Sequence, residues 1–178
     1  MNACSYTGGV GRRHTQVKRT LEKVLKVAEI PYNNERPMAT DGTNYRADIY
    51  IPRPEEPIVI DVTCVQTSQN HKTLDKAMKN AYKEKFKYYN NMKKNCQLSK
   101  EFTKGVKLIP VVIGPRGQFY KNSWRDITRL LGIPSSKASR QEAVGVAPLL
   151  RNDLDPEKAS LVISLLKGLA FRAAVSTA

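Results

Sequence analysis

The spacing of apolar residues divides the first part of the chain into a helix followed by two strands. Apolar residues recur every three or four positions between 14 and 30, which predicts an amphipathic helix that Pro31 ends. The apolar positions of this helix are Val17, Leu21, Val24, Leu25 and Ala28. In residues 46–51, Ile49 and Ile51 alternate with Tyr50, and residues 58–62 of the stretch 58–63 are almost wholly apolar. The proline-rich stretch 52–57 between them predicts a hairpin of two strands.

The second part of the chain has the pattern of a helix, a strand and further helices. Residues 71–94 have an apolar face at helical spacing and lysines at most other positions, which predicts a long amphipathic helix. The apolar run 107–114 predicts a buried strand. Three helices are predicted beyond it: 122–132, about 137–147, and one that begins at Pro156 with Asp155 as its N-cap. This order predicts an α/β fold in which helices cover a small mixed sheet.

Composition adds a strong positive charge to this picture. The 178 residues suit one domain, and 40% of them are hydrophobic, as in an ordinary globular protein. Thirty lysines and arginines against 16 acidic residues give a net charge of +14. Such a charge favours a polyanionic partner, nucleic acid before an anionic membrane surface, although a basic protein without such a partner remains an alternative.

The cysteines and the apolar segments indicate an intracellular protein. The three cysteines are Cys4, Cys64 and Cys96, an odd number without a CxxC pair. This argues against a disulfide framework and against a self-contained zinc site, and it fits a reducing compartment. No apolar segment of the signal-peptide type stands at the N-terminus. The apolar run 159–175 is interrupted by Lys167 and Arg172, which predicts a packed helix rather than a membrane span.

Two aspartates on the predicted hairpin are candidates for a metal site. Asp48 and Asp61 lie on the two neighbouring strands, where their carboxylates can converge on one point. Hard divalent cations are held by such oxygen ligands, and a bound cation would polarise a scissile phosphate and lower the pKa of an attacking water. The alternative is that both are strand-end aspartates whose oxygens accept hydrogen bonds from turn amides.

A lysine of the long helix is the candidate for charge stabilisation beside this pair. Thr63 stands two residues after Asp61, so an Asp-x-Lys motif is absent and the lysine has to come from elsewhere. Lys85 is the first choice, with Lys83 and Lys87 as alternatives. The positive charge would stabilise the transition state at the phosphate. Tyr89 follows Lys85 by four residues, so the two share a helix face.

Glu35 is the candidate for a third acidic group. It precedes the Asp48 strand in the segment 34–37, and Glu22 and Glu29 on the first helix are alternatives. Each of the three glutamates is also explained by an ordinary solvated position.

Basic residues at the start of the first helix are candidates for nucleic-acid contact. Arg12 and Arg13 precede His14, and a helix N-terminus is itself a site for anions. His14 would bind a DNA phosphate or take part in proton transfer; the alternative is a structural or surface histidine.

Taken in order, these pieces resemble a known family. They are Arg13-His14-Thr15-Gln16-Val17, Glu35-Arg36-Pro37, Arg46-Ala47-Asp48, Asp61-Val62-Thr63, the pair Lys85 and Tyr89, Pro110-Val111-Val112-Ile113-Gly114 and Leu131-Gly132-Ile133. The order is similar to that of the restriction-like endonuclease domain of site-specific non-LTR retrotransposons, a branch of the PD-(D/E)xK nuclease superfamily. Ala47 stands where that family has proline, and only Cys4 could belong to the zinc knuckle that precedes the domain there.

The resemblance implies a fold and a division of the chain. The fold would be a restriction-endonuclease-like three-layer core, with a small mixed sheet flanked by helices, and C-terminal helices added to it. Residues 1–13 would be a basic, glycine-rich lead-in, 14–133 the nuclease domain, and 134–178 a helical extension.

The resemblance also implies an activity. The protein would be a Mg²⁺-dependent DNA endonuclease, with Mn²⁺ as an alternative ion, that nicks target DNA for reverse transcription. Asp48 and Asp61 would bind the metal, and Lys85 and Glu35 would complete the catalytic set. Contacts to nucleic acid would come from Arg12, Arg13, His14, Arg46, Lys83, Lys87 and Tyr89.

The expected partners and location follow from the same family. The partners would be duplex DNA, with RNA as a further candidate, and the reverse-transcriptase domain of the same polyprotein. The expected location of the protein is the nucleus. One alternative is an inactive nuclease-fold module that binds nucleic acid without cutting it. Another is a structural interaction domain, which would place a broad apolar patch on residues 134–178.

Overall fold

A computed structural model describes residues 8–41, 45–66, 71–95, 97–103, 105–131 and 156–175. They form nine elements: α1 (Gly8–Val27), β1 (Asn33–Pro37), β2 (Arg46–Ile51), β3 (Ile58–Cys64), α2 (His71–Asn95), α3 (Lys100–Thr103), β4 (Lys107–Ile113), α4 (Lys121–Leu130) and α5 (Pro156–Val175).

The four strands form one mixed sheet in the order β1-β2-β3-β4. The pairs β1–β2 and β2–β3 are antiparallel, and β3–β4 is parallel. The hairpin between β2 and β3 closes with Ile51 opposite Ile58. The parallel pair is joined through α2 and α3, because parallel neighbours need a crossover connection. The predicted α/β class with a small mixed sheet is confirmed.

Helices cover both faces of the sheet because β3 alternates its side chains between two cores. Ile58, Ile60 and Val62 face a core that contains the apolar side of α1. Residues of α4 and α5 join the same core: Ile127, Leu130, Val162 and Leu166. Val59 faces the opposite way, into a second core with Tyr89 of α2. The apolar positions predicted for α1 and for the two central strands are buried accordingly.

The first helix differs from its predicted bounds at both ends. It begins at Gly8, so residues 8–13 of the predicted lead-in are helical, while 1–7 lie outside the described residues. The glycines did not prevent helix formation, because later turns of the helix are fixed by burial of its apolar face. The helix ends at Val27, before Pro31. Glu29 adopts a left-handed φ of 55°, and Ile30 donates its N–H to Leu25 O at 2.9 Å, as in a Schellman motif.

Two elements have no counterpart in the predicted pattern. β1 is exposed at all five positions, so no apolar alternation marks it. α3 has a single turn. α2, β4 and α4 match their predicted ranges within two residues, whereas the predicted helix 137–147 lies outside the described residues.

The C-terminal helix starts at the predicted Pro156 and packs on α1 through Val162 and Leu166. It therefore shares the core of the predicted nuclease region. Among the described helices, none has the length and the apolar character to span a membrane.

Candidate active site

The two aspartates meet where β2 and β3 separate. Backbone pairing of these strands runs from Ile51↔Ile58 to Ile49↔Ile60, and one further step in this register would place Asp48 opposite Asp61. One residue beyond Asp61, the Val62 N–H donates to Asp48 Oδ2, at 2.8 Å. The side chain thus takes over a main-chain hydrogen bond at the strand ends. The alternative of an aspartate satisfied by a backbone amide therefore holds for one oxygen of Asp48.

Asp48 is also bound by the histidine of the first helix. His14 Nε2 lies 3.1 Å from Asp48 Oδ2. Burial alone would raise the pKa of Asp48, but the hydrogen bond and the charge of His14 outweigh it and hold this pKa below its ordinary value. Conversely, the hydrogen bond to Asp48 raises the pKa of His14. The pair is therefore an ion pair whenever His14 is protonated.

Asp61 is bound by the lysine of the long helix. Lys85 Nζ lies 2.9 Å from Asp61 Oδ1. Burial raises the pKa of Asp61 to about 6; Lys85 opposes this shift, and the charge and hydrogen bonding of Asp48 add to it. The charge of Asp61 also raises the pKa of His14, and the charge of Lys85 lowers the pKa of Asp48. The four side chains therefore form one electrostatic cluster. We call His14, Asp48, Asp61 and Lys85 the strand-end cluster.

The structure distinguishes among the three candidate lysines. Lys85 is partly buried and contacts Asp61, whereas Lys83 and Lys87 are exposed. A step of two residues along an α-helix turns a side chain by about 200°, which carries both alternatives away from the sheet. Lys85 is therefore the lysine of the cluster.

The candidate glutamates lie away from the cluster. Glu35, on the exposed strand β1, adopts a left-handed φ of 51° and forms an ion pair with Lys18 of α1. Glu29 forms an ion pair with Lys158 of α5. Glu22 acts on Tyr32, whose pKa is raised by burial and by that charge. The structure thus does not bring the predicted third acidic group to Asp48 and Asp61.

The predicted nucleic-acid contacts divide into exposed and buried residues. Arg12 and Arg46 are exposed, close in sequence to His14 and Asp48 respectively. Arg13 is 6% exposed, and its Nη1 donates to Pro115 O at 3.3 Å in the loop after β4. Arg13 therefore connects α1 to that loop, which corrects its prediction as a surface contact.

Tyr89 is likewise a core residue. Only 5% of it is exposed, and it packs in the core with Tyr50, Val59 and Met92. Burial raises the pKa of its hydroxyl to about 12. A base cannot stack on a ring that is covered on this scale, so the predicted contact to nucleic acid is corrected to a packing role.

Thr63 is a neighbour of the cluster that the sequence did not single out. It follows Asp61 by two residues on β3, so both side chains lie on the same face of the sheet. Its Oγ1 is buried and has no hydrogen-bond partner among the described residues. A buried hydroxyl without a partner is unfavourable in a finished core. The signal in the sequence was a hydroxyl at the position where an Asp-x-Lys motif has its lysine.

The donor set fits a divalent cation held by two carboxylates. Among the described residues, no group of three or more His, Cys, Asp or Glu side chains is arranged to hold a metal ion. Mg²⁺ does not need one, because it commonly keeps several waters and binds one or two carboxylates together with substrate phosphates. His14 and the Val62 amide contact Asp48 at Oδ2, Lys85 contacts Asp61 at Oδ1, and the two carboxylates also interact with each other. A cation there would also relieve the repulsion that helps raise the pKa of Asp61.

Comparisons with known proteins do not add a family. No protein-family model matches the chain, and no curated protein matches it either. The chemistry of the strand-end cluster is therefore the main guide to function.

Proposed function

We propose that this protein is a metal-dependent endonuclease that nicks DNA, built on a restriction-endonuclease-like core. One observation carries the proposal: two acidic side chains from adjacent strands converge at the sheet end beside a lysine from the crossover helix. A positively charged protein with such a cluster suits phosphodiester hydrolysis, because the substrate is a polyanion.

Asp48 and Asp61 are the residues that would hold Mg²⁺, or Mn²⁺ in its place. When bound, the ion supplies Lewis-acid polarisation of the phosphate and a lowered pKa for the attacking water. His14 fixes the orientation of Asp48 through Oδ2 and keeps this carboxylate ionised, because it holds the pKa low. An ionised carboxylate is the form that binds a cation.

Lys85 is the residue that would stabilise charge on the scissile phosphate. Its ammonium group is held at the strand ends by Asp61. Preorganised positive charge next to the reacting phosphate lowers the barrier because it does not have to reorient during the reaction. Glu35 has no role in this proposal, since it is paired with Lys18 on the exposed edge strand.

Arg12 and Arg46 would contact the DNA backbone near the cluster, since both are exposed and near its members in sequence. Contacts of this kind fix position without reading bases, so affinity should depend strongly on salt and weakly on sequence. By the family resemblance, the nick would prime reverse transcription by a reverse-transcriptase domain of the same polyprotein, in the nucleus.

A second candidate is a nuclease-fold module that binds nucleic acid without cutting it. The observation in its favour is that both carboxylates already have a cationic partner, His14 and Lys85, within the protein. This candidate predicts binding of DNA that does not depend on metal.

Nicking of supercoiled plasmid separates the two candidates. The wild type should convert supercoiled to open-circular DNA with Mg²⁺ and not with EDTA, and Asp48→Ala and Asp61→Ala should both abolish this. Asp75→Ala, an exposed aspartate of α2, is the matched control and should nick like the wild type. Equal nicking by all four proteins would indicate a contaminating nuclease, and binding without nicking would favour the inactive module.

A further inference from the structure

The outward face of α2 carries lysines that the strand-end cluster does not use. Lys76, Lys79, Lys83 and Lys87 follow one another at intervals of three or four residues, and all four are exposed. In a helix of 3.6 residues per turn, this spacing places them within about 80° of one another around the axis. We call these four residues the outer lysine row.

The outer lysine row lies on the side of α2 that faces away from the cluster. Lys85 follows Lys76 by nine residues, which is about 180° around the helix axis. The side of α2 near Lys85 packs on the sheet, since Met78, Tyr89 and Met92 are buried. A helix with its side chains is about 10–12 Å wide. A phosphate bound by the outer lysine row is therefore not the phosphate beside Lys85.

The row carries an excess of positive charge: exposed Asp75 lies four residues before Lys79 and exposed Glu84 three before Lys87, but the four lysines outnumber these two acids. Across the part of the chain that the structure describes, none of its lysines takes part in an ion pair. Lys79, Lys83 and Lys87 are successive like-charged neighbours at i, i+4, an arrangement that destabilises a helix. Faces that meet only solvent commonly alternate the sign of their charges instead. A bound polyanion would remove this repulsion.

We propose that the outer lysine row binds the backbone of duplex DNA at a place separate from the scissile phosphate. The row spans about 16 Å along the helix, the rise of about five base pairs. Duplex DNA presents one charge per about 1.7 Å of its axis, more than a single strand does, and so matches a dense, straight row best. Lysines contact phosphates as point charges, so this site does not read sequence. Only its separation from the scissile phosphate rests on the proposed function.

Binding of duplex DNA in EDTA tests the row without any cleavage. The test protein carries Lys76→Gln, Lys79→Gln, Lys83→Gln and Lys87→Gln. The charge-matched control carries Lys23→Gln, Lys26→Gln, Lys100→Gln and Lys121→Gln, four exposed lysines on other elements. Glutamine has nearly the helix propensity of lysine, so charge is the main change. Fluorescence anisotropy with a labelled duplex of about 30 base pairs, several times the length of the row, gives affinity against salt.

The row variant should bind the duplex at least about tenfold more weakly than the wild type. The slope of log affinity against log salt concentration should become smaller in magnitude by about 3–4. The control variant should change this slope by less than about 1. A Lys79→Gln, Lys83→Gln double variant should give about half the slope change, which keeps the test decisive if the fourfold variant misfolds. Two results would overturn the proposal. One is an equal loss of duplex affinity in the two fourfold variants. The other is a row variant that binds duplex DNA like the wild type and loses affinity only for single strands, RNA or anionic vesicles.

Nicking by saturating protein in a single turnover tests the separation. The row variant should lose much less of the single-turnover rate constant than Lys85→Gln does, because its lysines do not reach the phosphate beside Lys85. A fall as large as that of Lys85→Gln would contradict the separation. If the wild type does not nick at all, the proposed function fails, while the anisotropy result still decides whether the row binds DNA.

Discussion

Single residues in the strand-end cluster show how neighbouring aspartates acquire opposite properties. Burial acts on both, yet the pKa of Asp48 is lowered and that of Asp61 is raised to about 6. Asp48 receives two donors on one oxygen, from His14 and the Val62 amide, and this outweighs its burial. Asp61 has the lysine as donor and Asp48 as a like-charged neighbour. One carboxylate is thus ionised over a wide pH range, and the other changes charge near pH 6.

Replacement of Asp61 should change the pH dependence of stability. The folded protein holds the Asp61 proton more tightly than the unfolded chain does. The stability that comes from this proton is fully present below pH 3.8 and is lost as the pH rises to about 6. The difference in unfolding free energy between Asp61→Asn and the wild type should therefore depend on pH. It should favour the variant by about 2–3 kcal/mol more near pH 7 than near pH 4. Urea denaturation at the two pH values measures this. The control Asp75→Asn, on the exposed side of α2, should differ from the wild type by the same free energy at both pH values. If the difference for Asp61→Asn were also the same at both pH values, this would contradict the buried environment of Asp61.

The histidine of the cluster can be titrated directly. The chain has only two histidines, His14 and His71, so their NMR signals can be assigned by one substitution. Asp48→Asn should lower the pKa of His14, because it removes the hydrogen bond and the charge that raise it. The His71 signal is the internal reference. A titration of His14 that is the same in both proteins would show that the contact to Asp48 does not form in solution.

Lys85 should be needed for the chemical step. Lys85→Gln should lower the nicking rate at saturating protein by about 10²–10³-fold, the usual effect of removing a group that stabilises transition-state charge. Lys94→Gln, an exposed lysine of the same helix, is the matched control. A decrease that disappears once the protein is saturating would show instead that Lys85 only contributes to binding.

The sequence predicted the centre of the site and not its surroundings. Asp48 and Asp61 were predicted from two strands and a short turn, and the register of a hairpin then brings them together. Lys85 was the first of three candidates, and the contact to Asp61 that distinguishes it from Lys83 and Lys87 depends on how α2 packs on the sheet. Arg13 and Tyr89 were predicted as nucleic-acid contacts from residue type and both are buried. The apolar spacing of residues 71–94 already placed Tyr89 on the packed face of α2, whereas no local pattern indicated the burial of Arg13.

Among the secondary-structure elements, α1 has a particular importance because it supplies both a packing face and His14. Its apolar face is buried against β2 and β3, and its first part is connected to the loop after β4 through Arg13 and Pro115. These contacts fix the position of His14 beside Asp48. The longer elements with an apolar face were predictable, whereas β1 exposes every residue and is held by main-chain pairing with β2 and by ion pairs of Glu35 and Arg36.

Adjacent arginines of α1 should have different effects on stability. Arg13→Ala should lower the free energy of unfolding by about 1–3 kcal/mol, because it leaves the Pro115 carbonyl without its donor and removes a buried side chain. Arg12→Ala should change it by less than about 0.5 kcal/mol, since Arg12 is exposed. Denaturant unfolding measures both. Equal effects of the two substitutions would contradict the buried contact of Arg13.

The molecule as a whole combines an α/β core with a net charge of +14. The carboxylates lie at the end of the sheet between the layers, and the outer lysine row lies on the far side of α2. The class of the fold followed from the order of helices and strands. The proposed function requires that Asp48 and Asp61 bind one metal ion beside Lys85, so binding of that ion is its central test.

Anomalous diffraction from crystals grown with Mn²⁺ tests this claim most directly. We expect one peak within about 2.0–2.6 Å of a carboxylate oxygen from each of Asp48 and Asp61, the range of hard-cation ligand bonds. The same peak should be absent from crystals of Asp61→Asn. Ordered wild-type crystals without a peak between the two carboxylates, and with His14 and Lys85 still bound to them, would contradict the account of a metal-dependent nuclease.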